Sequence, residues 1–427
     1  MTDSIDRAAT FHDVFASRAY RYLFGANALS WVGDYLAKAA VSAVVYDRTG
    51  SVALSAIAFG LSYLPWLAGP VLASIAERHR YRTIMVVCDL VRAAVLALVA
   101  IPGLPVGLMI LLLFAAGLAN PAFQAARSAL LPQILDGDRY VVGLSVQNSA
   151  GQAAQIAGYV IGASLAPYWP HAAFLMNAFT FTLSAVLIRI GVGEHGPTGP
   201  VGERHLGRDT LDGMRIVFGR RVLRAIAVVV FTAMLFAAVP EGLAAAWAVE
   251  LSTDRADRGW IQALILMSAP LGYIVGGMVV GRLIRPELRQ RLIQPFAVLS
   301  PLALVPAFVE PPVAVLALMC AACGFGVAGM MPAANGLFVR VLPAGYRARA
   351  FGVMQGGVQV MQAVAVLVTG ALADRYDIAT VVGGWSLAGV VVLGVIWLRW
   401  PSPAVVADAI TVASAMPHGT LRPSSDR

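Results

Sequence analysis

Lysine is almost missing from this chain. Among 31 basic residues in 427 positions, Lys38 is the single lysine. A phosphate-binding loop of the Gly-x-x-x-x-Gly-Lys-[Ser/Thr] kind needs a lysine after glycine. Lys38 follows Ala37, so no such loop exists and ATP-driven work by this chain alone is disfavoured. Charge is scarce too: 13% of residues are charged, against about a quarter in a soluble protein. Cysteine is limited to Cys88, Cys320 and Cys323, all in apolar runs. The Cys320-x-x-Cys323 pair has no histidine or second cysteine pair near it, so packing is expected there and not metal or redox chemistry. The six histidines (12, 79, 171, 195, 205 and 418) are scattered and form no cluster with acids, which argues against a membrane transferase. The first twenty residues hold no apolar run, so no cleavable signal is expected, and the first long apolar segment would serve as the insertion signal.

What is present is apolar: 59% of residues are hydrophobic and the mean hydropathy is +0.75. An integral, all-α membrane protein is the class that fits. A span needs about 20 mostly apolar residues. On that measure twelve spans fall near 22–46, 52–76, 83–101, 105–126, 142–166, 171–190, 224–248, 259–283, 291–309, 312–338, 350–373 and 380–400. The organisation expected is a terminal segment over 1–19, a six-helix bundle over 20–190, a central loop over 191–222, a second bundle over 223–400 and a disordered tail over 401–427. The central loop is glycine-rich and then amphipathic, with Leu211, Met214, Val217 and Phe218 on one stripe.

The arginines test this topology. Twenty-five of the 31 basic residues fall on the side of the termini, four on the other side, and Lys38 and Arg92 within spans. The positive-inside rule puts both termini and the central loop in the cytoplasm of a cell membrane. The net charge of +8 is then topology, not a sign of nucleic acid. The halves also echo each other. Pro121-AFQAARSALL-Pro132 aligns with Pro332-AANGLFVRVL-Pro343, and Asp34 with Asp47 matches Glu241 with Asp254. Duplicated bundles with a site between them suit alternating access.

The first span carries the sharpest anomaly. Asn27, Ser30, Asp34, Lys38 and Ser42 share a helical face, with the acid and the lysine one turn apart. Charges at mid-membrane cost a few kcal/mol or more and face a cavity or a partner. Asp34, Lys38 and Glu241 are therefore the candidate proton-coupling groups. Asn27, and Trp31 and Tyr35 beside Asp34, are candidate substrate contacts. So are two polar stripes, Gln152, Gln155 and Tyr159 on helix 5, and Gln355, Gln359 and Gln362 on helix 11.

The loop Ala73-Ser-Ile-Ala-Glu77-Arg78-His-Arg80-Tyr81-Arg82 resembles the signature loop of the major facilitator superfamily, with the glycines replaced. Gly33-Asp34, Tyr46 to Ser51, Asp89 to Ala93, Pro121 to Pro132 and Ala373 to Arg375 resemble its drug, siderophore and macrolide exporter branch. Gly158-Tyr-Val-Ile-Gly162-Ala163 keeps two glycines of the antiporter signature and lacks its proline and last glycine. The resemblance implies a monomeric transporter in the lipid bilayer with no cofactor, driven by the proton gradient, exporting a small amphipathic molecule such as a drug, siderophore or secondary metabolite. A nutrient importer of the same fold and a non-transporting sensor are the alternatives. It also implies a conformational latch at Glu77, Arg78 and Arg82, joined by Asp89 and Arg92.

Overall fold

The computed structural model describes residues 10–69, 72, 79–194, 206–342 and 346–415, and no strand occurs among them. Twelve helical segments follow the order of the expected spans. In the first half they are α1 (Arg18–Thr49), α2 (Val52–Gly60, continued by a 3-10 turn over Leu64–Ala68) and α3 (Tyr81–Val99). Then come α4 (Val106–Gly117 and Ala119–Ile134), α5 (Gly137–Leu165) and α6 (Pro170–Gly191). The second half holds α7 (Arg221–Ala237 and Val239–Leu251), α8 (Arg255–Leu283) and α9 (Ile293–Leu302, with a 3-10 turn over Val305–Val309). It ends with α10 (Val313–Val341), α11 (Arg347–Ala373) and α12 (Ile378–Leu398).

Among the described residues, eight helices are long and apolar enough to cross a membrane by length and composition. The other four depart for visible reasons. The α2 and α9 segments are apolar but short as described. Arg82, Asp89 and Arg92 put three charges into α3, and Gln147, Asn148, Gln152 and Gln155 dilute α5.

Local chemistry sets the ends. Gly50 closes α1 in the left-handed region (φ 64°), with its N–H on the Tyr46 carbonyl, and Ser51 then caps α2 by accepting from the Leu54 N–H. That accounts physically for the Tyr46-to-Ser51 run: a C-terminal glycine stop followed at once by an N-cap. Glycine also brings α5 onto α1. A Cβ at Gly158 would lie 2.5 Å from the Val32 carbonyl oxygen, and one at Gly162 2.4 Å from that of Leu36. The two glycines of the antiporter-like stretch thus let backbones touch on either side of Tyr35.

Two expectations are corrected. The tail is not wholly without structure: Pro403–Ala415 is a helix, with Val405, Val406, Ala409 and Ile410 packed on the second half. Those positions repeat as i, i+1, i+4 and i+5, which is a one-sided apolar stripe. Residues 416–427 lie outside the described set. The loop helix Leu206–Gly219 forms, but its apolar stripe divides. Leu211, Met214 and Phe218 are exposed, whereas Val217, with Ile216, is buried against the second half.

The cores show how the halves meet. One cluster unites both halves, joining Val52, Ala56, Phe59, Tyr63 and Tyr159 with Leu243, Trp247, Leu266, Ala363 and Val366. It lies at the end away from the termini. At the terminus end each half keeps its own cluster, around Leu23, Phe123 and Ile188 in one and Leu223, Met330 and Phe338 in the other. The described halves are therefore sealed at the far end and packed separately near the termini.

Specific contacts make the seal. Asp374, just after α11, accepts from the backbone N–H groups of Val52 (2.8 Å) and Ala53 (3.1 Å) and from Ser51 Oγ (3.2 Å). A carboxylate of one half thus caps a helix of the other, where the free N–H groups and the helix dipole favour negative charge. Gln262 Nε2 donates to the Ala39 carbonyl (2.9 Å) and to Ser42 Oγ (3.3 Å). Gly370 rides directly over Ala56, where a Cβ would sit 2.3 Å from the alanine Cβ. Removing a cap of this kind costs about 1 kcal/mol, roughly fivefold in an equilibrium. Asp374→Ala is expected to raise the reactivity of Ala56→Cys toward an impermeant maleimide by about that factor. Labelling rates with and without the substitution check this.

Candidate functional site

Between the halves lies a cavity of about 340 Å³. From α1 it takes Trp31, Asp34, Tyr35 and Lys38; from α5, Gln155 and Tyr159; from α7, Glu241; and from α11, Gln359 and Gln362. The three candidate proton-coupling residues therefore share one space. Both polar stripes reach it in part: Gln152 and Gln355 do not line it, and Gln355 is exposed. Asn27 does not line it either; it is buried one turn below Trp31, and its amide atoms lack hydrogen-bond partners among the described residues.

The charges are arranged unequally. Arg92 of α3 pairs with Asp89 and hydrogen-bonds to Asn120, and its guanidinium stacks 4.1 Å from the Phe181 ring centroid. Asp89 is fully buried and also accepts from Ser184 Oγ at 2.6 Å. Asp34 stands 3.7 Å from the same guanidinium, with 27% of its side chain exposed. Asp89 is thus locked by two partners, while Asp34 touches the edge of the network and faces the cavity. Lys38 is not the ion-pair partner of Asp34; that partner is Arg92.

This relocates part of the expected latch. Asp89 and Arg92 lie inside the first bundle with Asp34. Arg82, with Arg80, pairs instead with Glu194 beyond the end of α6. Glu77 and Arg78 lie outside the described residues. The pattern Asp89-x-x-Arg92 correctly reads as one helical face; what spacing cannot reveal is that this face turns inward, toward α1.

Glu241 is where the second half enters. The helix of α7 is interrupted at Ala238, and Pro240, in the first turn of the restarted segment, puts Glu241 beside the cavity. Pro fits there because it has no N–H to leave unpaired. Tyr63 Oη (3.2 Å) and Tyr159 Oη (3.3 Å) both donate to Glu241 Oε2. Two phenols of the first half therefore hold one acid of the second. The Asp34–Glu241 correspondence survives as shared lining, whereas Asp47–Asp254 does not: Asp47 is inside α1 and Asp254 caps α8.

Tyr63, Trp66, Asn120, Gln124, Asn177 and Phe181 also line the cavity and were not among the expected residues. Asn120 and Gln124 are four apart in an apolar helix, the same signal that marks Gln155 and Tyr159, and so were readable. Arg127, counted with the loop arginines, lies within α4, its guanidinium 5.4 Å from the Trp31 ring.

Comparison with known proteins gives the same architecture. The family model described as Major Facilitator Superfamily matches residues 23–366 and 243–418. No curated protein matches the chain. A mutant of a peptide transporter of the POT type, in complex with alafosfalin, superimposes with a TM-score of 0.71 at 16% identity, over 95% of this chain and 97% of that one. A mutant of the nucleoside transporter NupG gives 0.69 at 14%, over 88% and 100%. A bacterial homologue of the human lysosomal transporter Spinster, inward-facing and occupied, gives 0.64 at 11%, over 94% and 97%. At such identities the likeness is one of fold.

The charge geometry predicts a split between two substitutions. Arg92→Met would strand the buried Asp89, and breaking a buried pair this way costs about 3–5 kcal/mol. Asp34→Asn leaves Asp89–Arg92 intact. Size-exclusion profiles and melting in detergent should show loss of folded protein for Arg92→Met and a near-native profile for Asp34→Asn.

Proposed function

The chain belongs to the major facilitator superfamily, and from that premise we propose a proton-coupled exporter of a small amphipathic molecule working by alternating access. One observation carries the reading: acids from both halves, Asp34 and Glu241, face a single cavity at the edge of the seal between those halves. Intramembrane acids of that kind mark proton and substrate paths.

The mechanism follows from which bonds need charge. An ionised Glu241 accepts two phenolic hydrogen bonds, and bonds to a charged acceptor are the strong ones. Protonating Glu241 removes that charge and loosens Tyr63 and Tyr159, which belong to the shared core. Ionised Glu241 therefore locks the empty carrier at the far end, and either a proton or a substrate that relieves its charge frees the seal to part and remake, the exclusive choice that exchange of proton for substrate requires. Asp34 holds the second exchangeable proton, with Arg92 as the counter-charge when it is ionised. Gln155, Gln359 and Gln362 offer uncharged donors and acceptors to the substrate beside the rings of Trp31 and Tyr35.

The arginine distribution supports cytoplasmic termini, so the side on which the halves pack separately is the cytoplasmic one. The chain works as a monomer in the cell membrane, with no cofactor beyond the proton gradient. Export as the direction rests on the exporter-like runs at Gly33-Asp34, Tyr46 to Ser51 and Pro121 to Pro132. Asp89–Arg92 braces the first bundle, and Arg82 ties α3 to the segment after α6. Glu77 and Arg78, by resemblance, would complete the cytoplasmic latch.

Proteoliposomes with an internal pH dye test the coupling. Addition of substrate to the native protein is expected to move protons, and Asp34→Asn to cut that signal at least tenfold. A full signal in Asp34→Asn would remove Asp34 from the mechanism. Drug retention in cells with and without the gene reads the direction: lower nutrient uptake with unchanged drug retention on gene loss would mean import.

A further inference from the structure

The surroundings of Lys38 are those of a bound guest. Its Nζ lies 4.8 Å from the Tyr63 ring centroid, 5.3 Å from that of Tyr35 and 6.0 Å from that of Phe59. The walls are themselves braced: Tyr35 packs edge-on against Tyr159 at 5.1 Å, and Phe59 against Tyr63 at 6.1 Å. Among the described residues the ammonium forms no ion pair. Three ring faces around one cation are a receptor for organic ammonium and related ions, because each ring presents its negative face. Glu241, held by Tyr63 and Tyr159, adds a carboxylate at the rim of the same cavity.

We propose that this aromatic cage is the recognition site for a lipophilic organic cation, and that Lys38 is a tethered occupant which the substrate displaces. The proposal rests on the transport reading above and names its substrate class. Two cations cannot share a cage of this size, because their repulsion is large in a medium of low dielectric constant. When the guest enters, Lys38 swings out into the cavity or leaves its proton to cavity water. The charged groups facing it are Asp34 one turn away on α1 and Glu241 from α7, with Arg92 of α3 behind Asp34. A lysine suits this part better than an arginine, since it can give its proton up as well as swing out, whereas a guanidinium keeps its charge. The choice of residue is pointed: every other basic residue of the chain is arginine, and the single lysine stands in the cage.

The shape-matched ions tetraphenylphosphonium and tetraphenylborate test this, with binding measured on the full chain in lipid nanodiscs against empty nanodiscs. Lys38→Ala vacates the cage and is expected to tighten phosphonium binding about tenfold. Adding Tyr63→Leu to that variant should remove the gain. Unchanged phosphonium affinity in Lys38→Ala overturns the proposal. So does native protein that prefers the borate and loses it in Lys38→Ala, which would make Lys38 an anion site. If Lys38→Ala does not fold, Tyr63→Leu in the native chain serves: weaker phosphonium binding supports the cage, and unchanged binding overturns it. An Asp34-dependent proton signal without phosphonium binding would sink this inference alone. Phosphonium binding with no proton signal would sink the transport reading and leave the cage.

Discussion

A guanidinium sealed inside a membrane protein is costly unless its charge is answered, and at Arg92 the first bundle answers it with carboxylates. Arg92 is answered twice, and the two answers differ in kind. Asp89 is fully buried and bonded to both Arg92 and Ser184, so its charge is committed to the fold. Asp34 sits 3.7 Å away with part of its carboxylate open to the cavity. With Asp89 balancing the charge of Arg92, Asp34 is free to change its protonation without stranding a buried charge. The close approach of α5 at Gly158 and Gly162 holds α1 where this division of labour works.

The second constraint comes from the proposed alternating access, under which two bundles must part and rejoin. Their joint is made of contacts that can be remade: small residues face to face at Gly370 and Ala56, backbone donors on Asp374, and two phenols on Glu241. None of these threads one half through the other. The acid in this joint lines the same cavity as Asp34 and Lys38, so on the proposed function substrate, proton and seal would act on one small set of atoms.

Much of this was legible in the residues. Twelve apolar segments, a biased arginine count and two internal matches led to the fold, since each reflects burial or topology that composition records directly. Asp34, Lys38 and Glu241 stood out because ionisable groups are costly in apolar helices. What failed to show was partnership. The one-turn spacing of Asp34 and Lys38 suggested a pair, yet α3 supplies Arg92 at closer range and Lys38 turns to the rings of Tyr35, Tyr63 and Phe59. Gln152 and Gln355 followed their stripes by period alone, and the cavity covers only part of each stripe. The helix at Pro403–Ala415 was hidden because its small alanines, after Pro401 and Pro403, read as tail, while its docking surface is made by distant residues.

On the proposed mechanism, the charge on Glu241 holds the far end of the bundles shut. Spin labels at Asp136→Cys and Arg340→Cys, exposed at the terminus ends of the two halves, would report it by electron–electron distance measurement. The three native cysteines are buried and leave the labelling specific. At neutral pH the native chain should show a long distance, and acidification should add a shorter population as the far end opens and the terminus end closes. Glu241→Gln should show that shorter population at every pH. A distance distribution that ignores both pH and the substitution would contradict the account.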